Sequence, residues 1–305
     1  MRVVSLVPSA TETLVALGAV DELVGVTYAC RLPPNIQPRP VVVKPAIDTS
    51  GMSDAEIDEA VSKAKAEGNP LYIIDFDTIR RLGPDLIIAQ GLCDVCAVTT
   101  DTVNMYLRNV ARVVEVSPHS VSEILDDILL IGGLVGRESE AEGLVSEMVG
   151  VFEKVRCRLE GVDPMRVAFL EWVDPPFCSG HWVPELVELA GGMDMGVKGM
   201  HSRRITYIQL IRHRPVKLIA GPCGYSLEKA CASLEKFLHN RYVKELPAVN
   251  EGETYAVDAN RFFSGHGPSI ADAVLILAEI INPDIFNGAA PENSYKKCVG
   301  WLGDS

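Results

Sequence analysis

Two thiols separated by two residues, in Leu92-Cys93-Asp94-Val95-Cys96-Ala97, form the sharpest chemical pattern in the chain. Cysteines at that spacing chelate one metal ion or form a redox pair. A strand over 86–89 precedes them, so the pair belongs at a strand's C-terminal end. Cys30, which follows another strand, supplies a third sulfur. Sulfur ligands favour zinc, copper(I) or an iron–sulfur cluster. The competing reading is that these cysteines are small buried hydrophobes, since Leu92, Val95, Ala97 and Val98 flank them and no second pair completes a four-sulfur site. Thioredoxin-like chemistry is disfavoured, because Asp94 opposes the electropositive surroundings that a reactive thiolate needs.

A second concentration of chemistry runs from Glu171 to Glu185. It holds Trp172, Phe177 and Trp182 in a chain that is only 6% aromatic. Planar aromatic walls suit a large, flat, partly apolar ligand such as a tetrapyrrole. His181 offers an imidazole nitrogen to a metal, including one already inside a macrocycle. Against this, some of these rings belong to a core and His181 simply bonds a backbone group. A third group is Asn260-Arg261-Phe262-Phe263-Ser264-Gly265-His266-Gly267-Pro268-Ser269. With Pro268 as the first helical residue, free amides face an anion, and Arg261, Ser264 and His266 suit carboxylate, phosphate or amide groups. The plainer reading is a capped helix entry with Phe262 packed inward. Pro8-Ser9-Ala10-Thr11-Glu12 reads as a capping box of Ser9 with Glu12 whose amides also meet ligand.

Other chemistries lack their signatures. The sequence contains no GxxxxGK[ST], no GxGxxG after a strand, no GxSxG and no HExxH, which favours a binding protein over an enzyme. The net charge of −13 over 305 residues argues against nucleic acid and against anionic membrane surfaces. At 48% hydrophobic and 23% charged, the chain builds a sizeable core. No apolar run approaches the ~18 residues of a membrane span. The eight scattered cysteines do not require a disulfide scaffold.

These groups are positioned by alternating strands and helices. Strands are expected at 3–7, 23–26, 41–43, 71–74, 86–89 and 113–116, then at 167–170, 217–220 and 254–257, with parallel pairing and helices on both faces. Ser120-Val121-Ser122-Glu123 opens a helix whose apolar stripe is Val121, Ile124, Leu125 and Ile128, and a second box, Ser139 with Glu142, opens the next. Arg81 to Ala89 repeats weakly as Arg212 to Ala220, which supports two lobes. The tail from Gly288 reads as loosely ordered, with Trp301 free to dock.

The opening Ser5-Leu6-Val7-Pro8-Ser9-Ala10-Thr11-Glu12, continuing to Leu17-Gly18, resembles the cobalamin-type, class III substrate-binding proteins of ABC importers, the corrinoid, haem and siderophore receptors with a helical backbone. The strand entry at Arg81–Ile88, the helix at 120–134 and the run from Arg261 to Phe286 extend the resemblance over most of residues 1–286. It implies an α/β protein with two Rossmann-like lobes, 1–118 and 137–286, bridged by a single helix at 119–136, with a tail at 287–305. Ligand then lies in the cleft between the Tyr28/Cys93 side and the Trp172–Trp182 and Phe262–His266 loops. Tyr28-Ala29-Cys30, the CxxC and the 171–185 loop are similar to a cytosolic branch of that family. With Met1 as the native start, Met1-Arg2 runs straight into Val3–Val7 without a signal peptide, so a cytoplasmic location is expected. The leading expectation is a cytoplasmic protein that binds a corrinoid such as cobalamin, or another metal-bearing macrocycle. The first alternative is a metalloprotein or redox enzyme with zinc or an iron–sulfur cluster at Cys30, Cys93 and Cys96. The second is an exported receptor that docks on an ABC permease.

Overall fold

The computed structural model describes residues 1–91 and 105–299 and divides into two compact units. The first comprises Met1–Pro118 with Ser122–Glu147, and the second His119–Val121 with Met148–Ser305.

In the first unit, short β-branched runs form β1 (Val3–Ser5), β2 (Leu23–Thr27), β3 (Val41–Pro45), β4 (Tyr72–Ile74), β5 (Leu86–Ala89) and β6 (Arg112–Glu115). They pair in the order β4-β3-β2-β1-β5-β6, all parallel except β3 with β4. β1 and β5 sit side by side, with Val4 opposite Ile87, and every residue of β5 is buried. A strand covered on both faces needs such a continuous apolar run. Val4, Leu6, Val42, Val43, Ile79, Ile87, Ala89 and Leu107 make one core cluster. Strand order reverses between β1 and β5, so the Pro8–Ser9 turn and the residues after Ala89 flank this unit's switch point.

Two helix starts differ from the sequence reading. The first helix begins at Pro8 with Val7 as N-cap and no side-chain cap. Proline's fixed φ and missing N–H suit the first helical position, which moves Ser9 inside the helix, 2% exposed, so it is no N-cap. Likewise Ser139 does not cap, because its helix already begins at Glu138. Gly136, at φ 65°, ends the helix Val121–Val135. A Cβ on Gly132 would stand 2.4 Å from Cβ of Ala141, so the turn between the two helices is tight. A capping box that the sequence reading missed closes at Ser53: its N–H donates to Oε2 of Glu56 (2.7 Å), and the Glu56 N–H donates back to Oγ (3.4 Å). The passage from one unit to the other falls between Glu147 and Met148, inside the helix Glu138–Arg158.

The second unit contains β7 (Met165–Val173), β8 (Pro176–Cys178), β9 (Gly192–Asp194), β10 (Arg203–Arg204), β11 (Lys217–Ala220), β12 (Thr254–Val257) and β13 (Tyr295–Lys297). The order is β10-β8-β7-β11-β12-β13, with β9 also on β7. β7 is long because its first part pairs with β9 and its last part turns back on β8. β11 and β12 are parallel to β7 and fully buried. The helix Ile270–Ile281, two residues later than Pro268 would start it, buries Ile270, Val274, Leu277 and Ile281. Arg261 falls instead in a short helix, Ala259–Phe262, capped by the Asp258 carboxylate. The segment expected to be a loose tail contributes β13, antiparallel to β12 with Tyr255 opposite Lys297. Among the described residues no helix is long and apolar enough to cross a membrane.

Candidate functional site

In the second unit the strand order reverses at β7 and β11, and a cluster of titratable and aromatic side chains gathers at their C-terminal ends. The N–H of Gly221 donates to the Leu170 carbonyl (2.9 Å) and that of Cys223 to the Glu171 carbonyl (3.0 Å), so the chain leaving β11 follows the end of β7. Only glycine fits at 221, because a Cβ would stand 2.6 Å from the Phe169 ring. The loop after β12 is tied in by Ser264, whose Oγ accepts from the Gly224 N–H (2.8 Å), and by the Asn260 N–H on the Tyr225 carbonyl (2.9 Å). Trp172 meets Tyr225 edge-on at 5.2 Å between ring centres.

Two carboxyls lie beneath this surface. Glu171 accepts from the Gly180 N–H at 2.8 Å, yet burial pushes its pKa up to about 8, so it is largely protonated at neutral pH. Burial also raises Asp194, against the pull of the Ser179 hydroxyl and of the Phe169 (2.9 Å) and Gly196 (3.1 Å) N–H groups that donate to it.

Gly180 brings the chain from β8 into close contact with a second loop: a Cβ there would lie 2.2 Å from the Ser202 nitrogen. His181 follows at φ 52°, donates its N–H to the Met200 carbonyl (2.6 Å) and accepts from the Gly199 N–H (2.9 Å). These bonds set the His181 ring 4.9 Å from that of His201 and 5.8 Å from that of His119, centre to centre. The 119–121 segment is held by the Val121 N–H on Oε2 of Glu185 (2.9 Å). Burial first, then His201 and His119, lower the His181 pKa to about 4, and burial does the same to His266. Nδ1 of His181 and Nε1 of Trp182 are buried without a hydrogen-bond partner. Trp182, 5% exposed, packs edge-on to His266 at 5.6 Å.

Of the residues expected from sequence, Trp172, His181, Trp182, Ser264 and His266 all serve this region. Phe262 is 1% exposed and packs in the core, as the plainer reading had it. Arg261 stacks on the Phe262 ring at 4.7 Å. Phe177 lies in β8 with the Arg204 guanidinium 5.7 Å from its ring. In the first unit, Ser9 is buried and Tyr28 is 50% exposed, 6.4 Å from Tyr72. The Cys30 sulfur sits among the Thr11 hydroxyl (2.9 Å) and the Thr27 N–H (3.3 Å), so it closes its own loop. Cys93 and Cys96 lie outside the described residues, as does Trp301. His119, His201, Glu171 and Asp194 were missed as site residues; 82 positions separate His119 from His201, and no local spacing announces them.

A family model described as "Periplasmic binding protein" matches residues 3–260. An uncharacterized ABC transporter substrate-binding lipoprotein of Bacillus subtilis, YvrC, is 23% identical over 292 residues, covering 93% of this chain and 81% of that protein. Among solved structures, the periplasmic vitamin B12 binding protein BtuF of Vibrio cholerae is similar at a TM-score of 0.69 and 19% identity, covering 92% of this chain and 96% of BtuF. A periplasmic heme binding protein of Pseudomonas aeruginosa is similar at 0.68 and 16%, covering 93% of each chain. These likenesses carry the fold, two helix-flanked sheets. The family match spans β1 through β12, so the chain belongs to the periplasmic binding protein family.

Proposed function

We propose that this protein, a solute receptor of the ABC-transporter class by family, binds a metal-bearing macrocycle, a corrinoid or a haem. The observation that carries the reading is the aromatic cluster near the ends of β7 and β11, where the partly exposed Trp172 joins the buried rings of Tyr225, Trp182 and His266 and the buried Trp182 Nε1–H lacks a partner. Flat ligands of this class need aromatic walls with few fixed polar groups. The adjoining loop leaves Val197 and Met200 more than half exposed, apolar surface of the kind that marks a ligand face. The vitamin B12 and heme binding of the similar structures supports the same ligand class.

Calorimetric titration with cobalamin and with haemin tests the assignment, together with the absorption spectrum of protein purified without oxygen. Saturable binding of one of them, weakened at least tenfold in Trp182→Phe, is expected. A colourless protein that ignores both overturns the ligand. Residence in the cytoplasm is part of the proposal, supported by the free thiols of Cys30, Cys157, Cys178, Cys223, Cys231 and Cys298. Fractionation of cells expressing the full gene checks it, and recovery in an oxidising compartment overturns it.

A further inference from the structure

We propose that His119, His181 and His201 form a three-imidazole site for a divalent first-row transition-metal ion, built wholly on the second unit. The ring centres stand 4.9, 5.8 and 6.0 Å apart. With metal–nitrogen bonds of about 2.1 Å, each ring centre lies about 3.2 Å from the ion, and tetrahedral angles then separate the ring centres by about 5.3 Å. The observed spacings bracket that value. As the rings stand, their three nitrogens are not all within 4.8 Å of one another, a span that Cys231, Glu235 and Cys298 alone reach among the described residues. The proposed site requires the rings to turn about their side-chain bonds on this backbone.

That backbone is fixed on all three sides. Glu185 holds the turn after His119 through the Val121 N–H, and two hydrogen bonds lock His181 to residues 199 and 200, next to His201. Gly180 permits the close approach, since any Cβ there would strike the 201–202 backbone. Ligands held on rigid backbone lose little freedom when an ion arrives. His181 also occupies the left-handed region at φ 52°, and its buried Nδ1 has no partner. Strain combined with an unsatisfied donor atom is what a ligand site leaves behind without its ligand. Three neutral nitrogens suit zinc, nickel, cobalt or copper and leave a fourth position open to water or an incoming group. The Cys231 group is the weaker trap, because burial pushes the Cys298 thiol up to about 12 and resists the thiolate a metal requires.

This site goes beyond the macrocycle reading, because it takes a bare ion. Titration of the chelator-stripped full chain with Co²⁺, followed by visible absorption, is expected to give one equivalent of a low-symmetry nitrogen-ligated species that Zn²⁺ displaces. His201→Ala, at an exposed position, should weaken Co²⁺ at least 100-fold, while His239→Ala, outside the trio, leaves it unchanged. X-ray absorption of the zinc-loaded wild type provides a readout that does not depend on variants, and three imidazoles are expected. Absence of stoichiometric binding, indifference to His201→Ala, or sulfur in the first shell overturns the site. Haemin and cobalamin titrated into the same samples separate the two readings: macrocycle binding that fails while Co²⁺ binding stands removes only the former.

Discussion

At the scale of single residues, Gly180 and His181 carry opposite predictions. Gly180→Ala drives a methyl against the 201–202 backbone, which the hydrogen bonds of the preceding residues 199 and 200 to His181 keep from yielding. A loss of at least about 2 kcal/mol is expected in urea unfolding. His181→Asn keeps a residue type that tolerates positive φ and discards an imidazole nitrogen that bonds to nothing in the protein. Stability should stay within about 1 kcal/mol, with Co²⁺ binding lost. If both variants lose stability equally, position 181 is structural. His181 and Trp182 were legible in the sequence, because aromatic and imidazole residues are dense there. His119 and His201 were not, because chain pairing alone brings them to the same loop, and a one-dimensional spacing carries no sign of it.

At the scale of elements, the edge of the second sheet shows how strands too short for periodicity escape a sequence reading. β11 and β12 were legible because four buried residues in a row, following polar or proline-rich loops, admit no other assignment. β8, β9, β10 and β13 have two or three residues each, fewer than one alternation pattern requires. β13 is held by Glu253, which takes Lys297 (2.7 Å) from that strand, the buried Lys217 from β11, and the Tyr255 hydroxyl (2.7 Å). Burial opposes the Glu253 charge, but these donors outweigh it and lower its pKa to about 2. A depressed carboxyl stabilises the fold above its unfolded pKa of 4.5, and that contribution fades as pH falls toward 2. Glu253→Gln should therefore cost about 2 kcal/mol at pH 7, much of it from stranding Lys217, and the difference from wild type should shrink below pH 4.5. Urea midpoints from pH 3 to 7 measure both.

At the scale of the whole molecule, the alternation of strands and helices and the presence of two units were readable, because each sheet draws on its own series of buried runs. A ligand at 100 times its Kd stabilises the native state by about 2.7 kcal/mol, which raises Tm by about 5–10 °C for units of this size. Zn²⁺ in calorimetric unfolding should produce that shift in wild type and none in His201→Ala.

The chain changes unit three times, because His119–Val121 joins the second unit before residues 122–147 return to the first. A gene fragment starting at Met148 thus encodes nearly all of the second unit and omits His119, one of the three histidines of the proposed site. Neither recombination nor a designer splicing at that one junction can transplant the histidine site intact. The trio passes between proteins only with both stretches of sequence, which ties its inheritance to that of the unit it does not belong to.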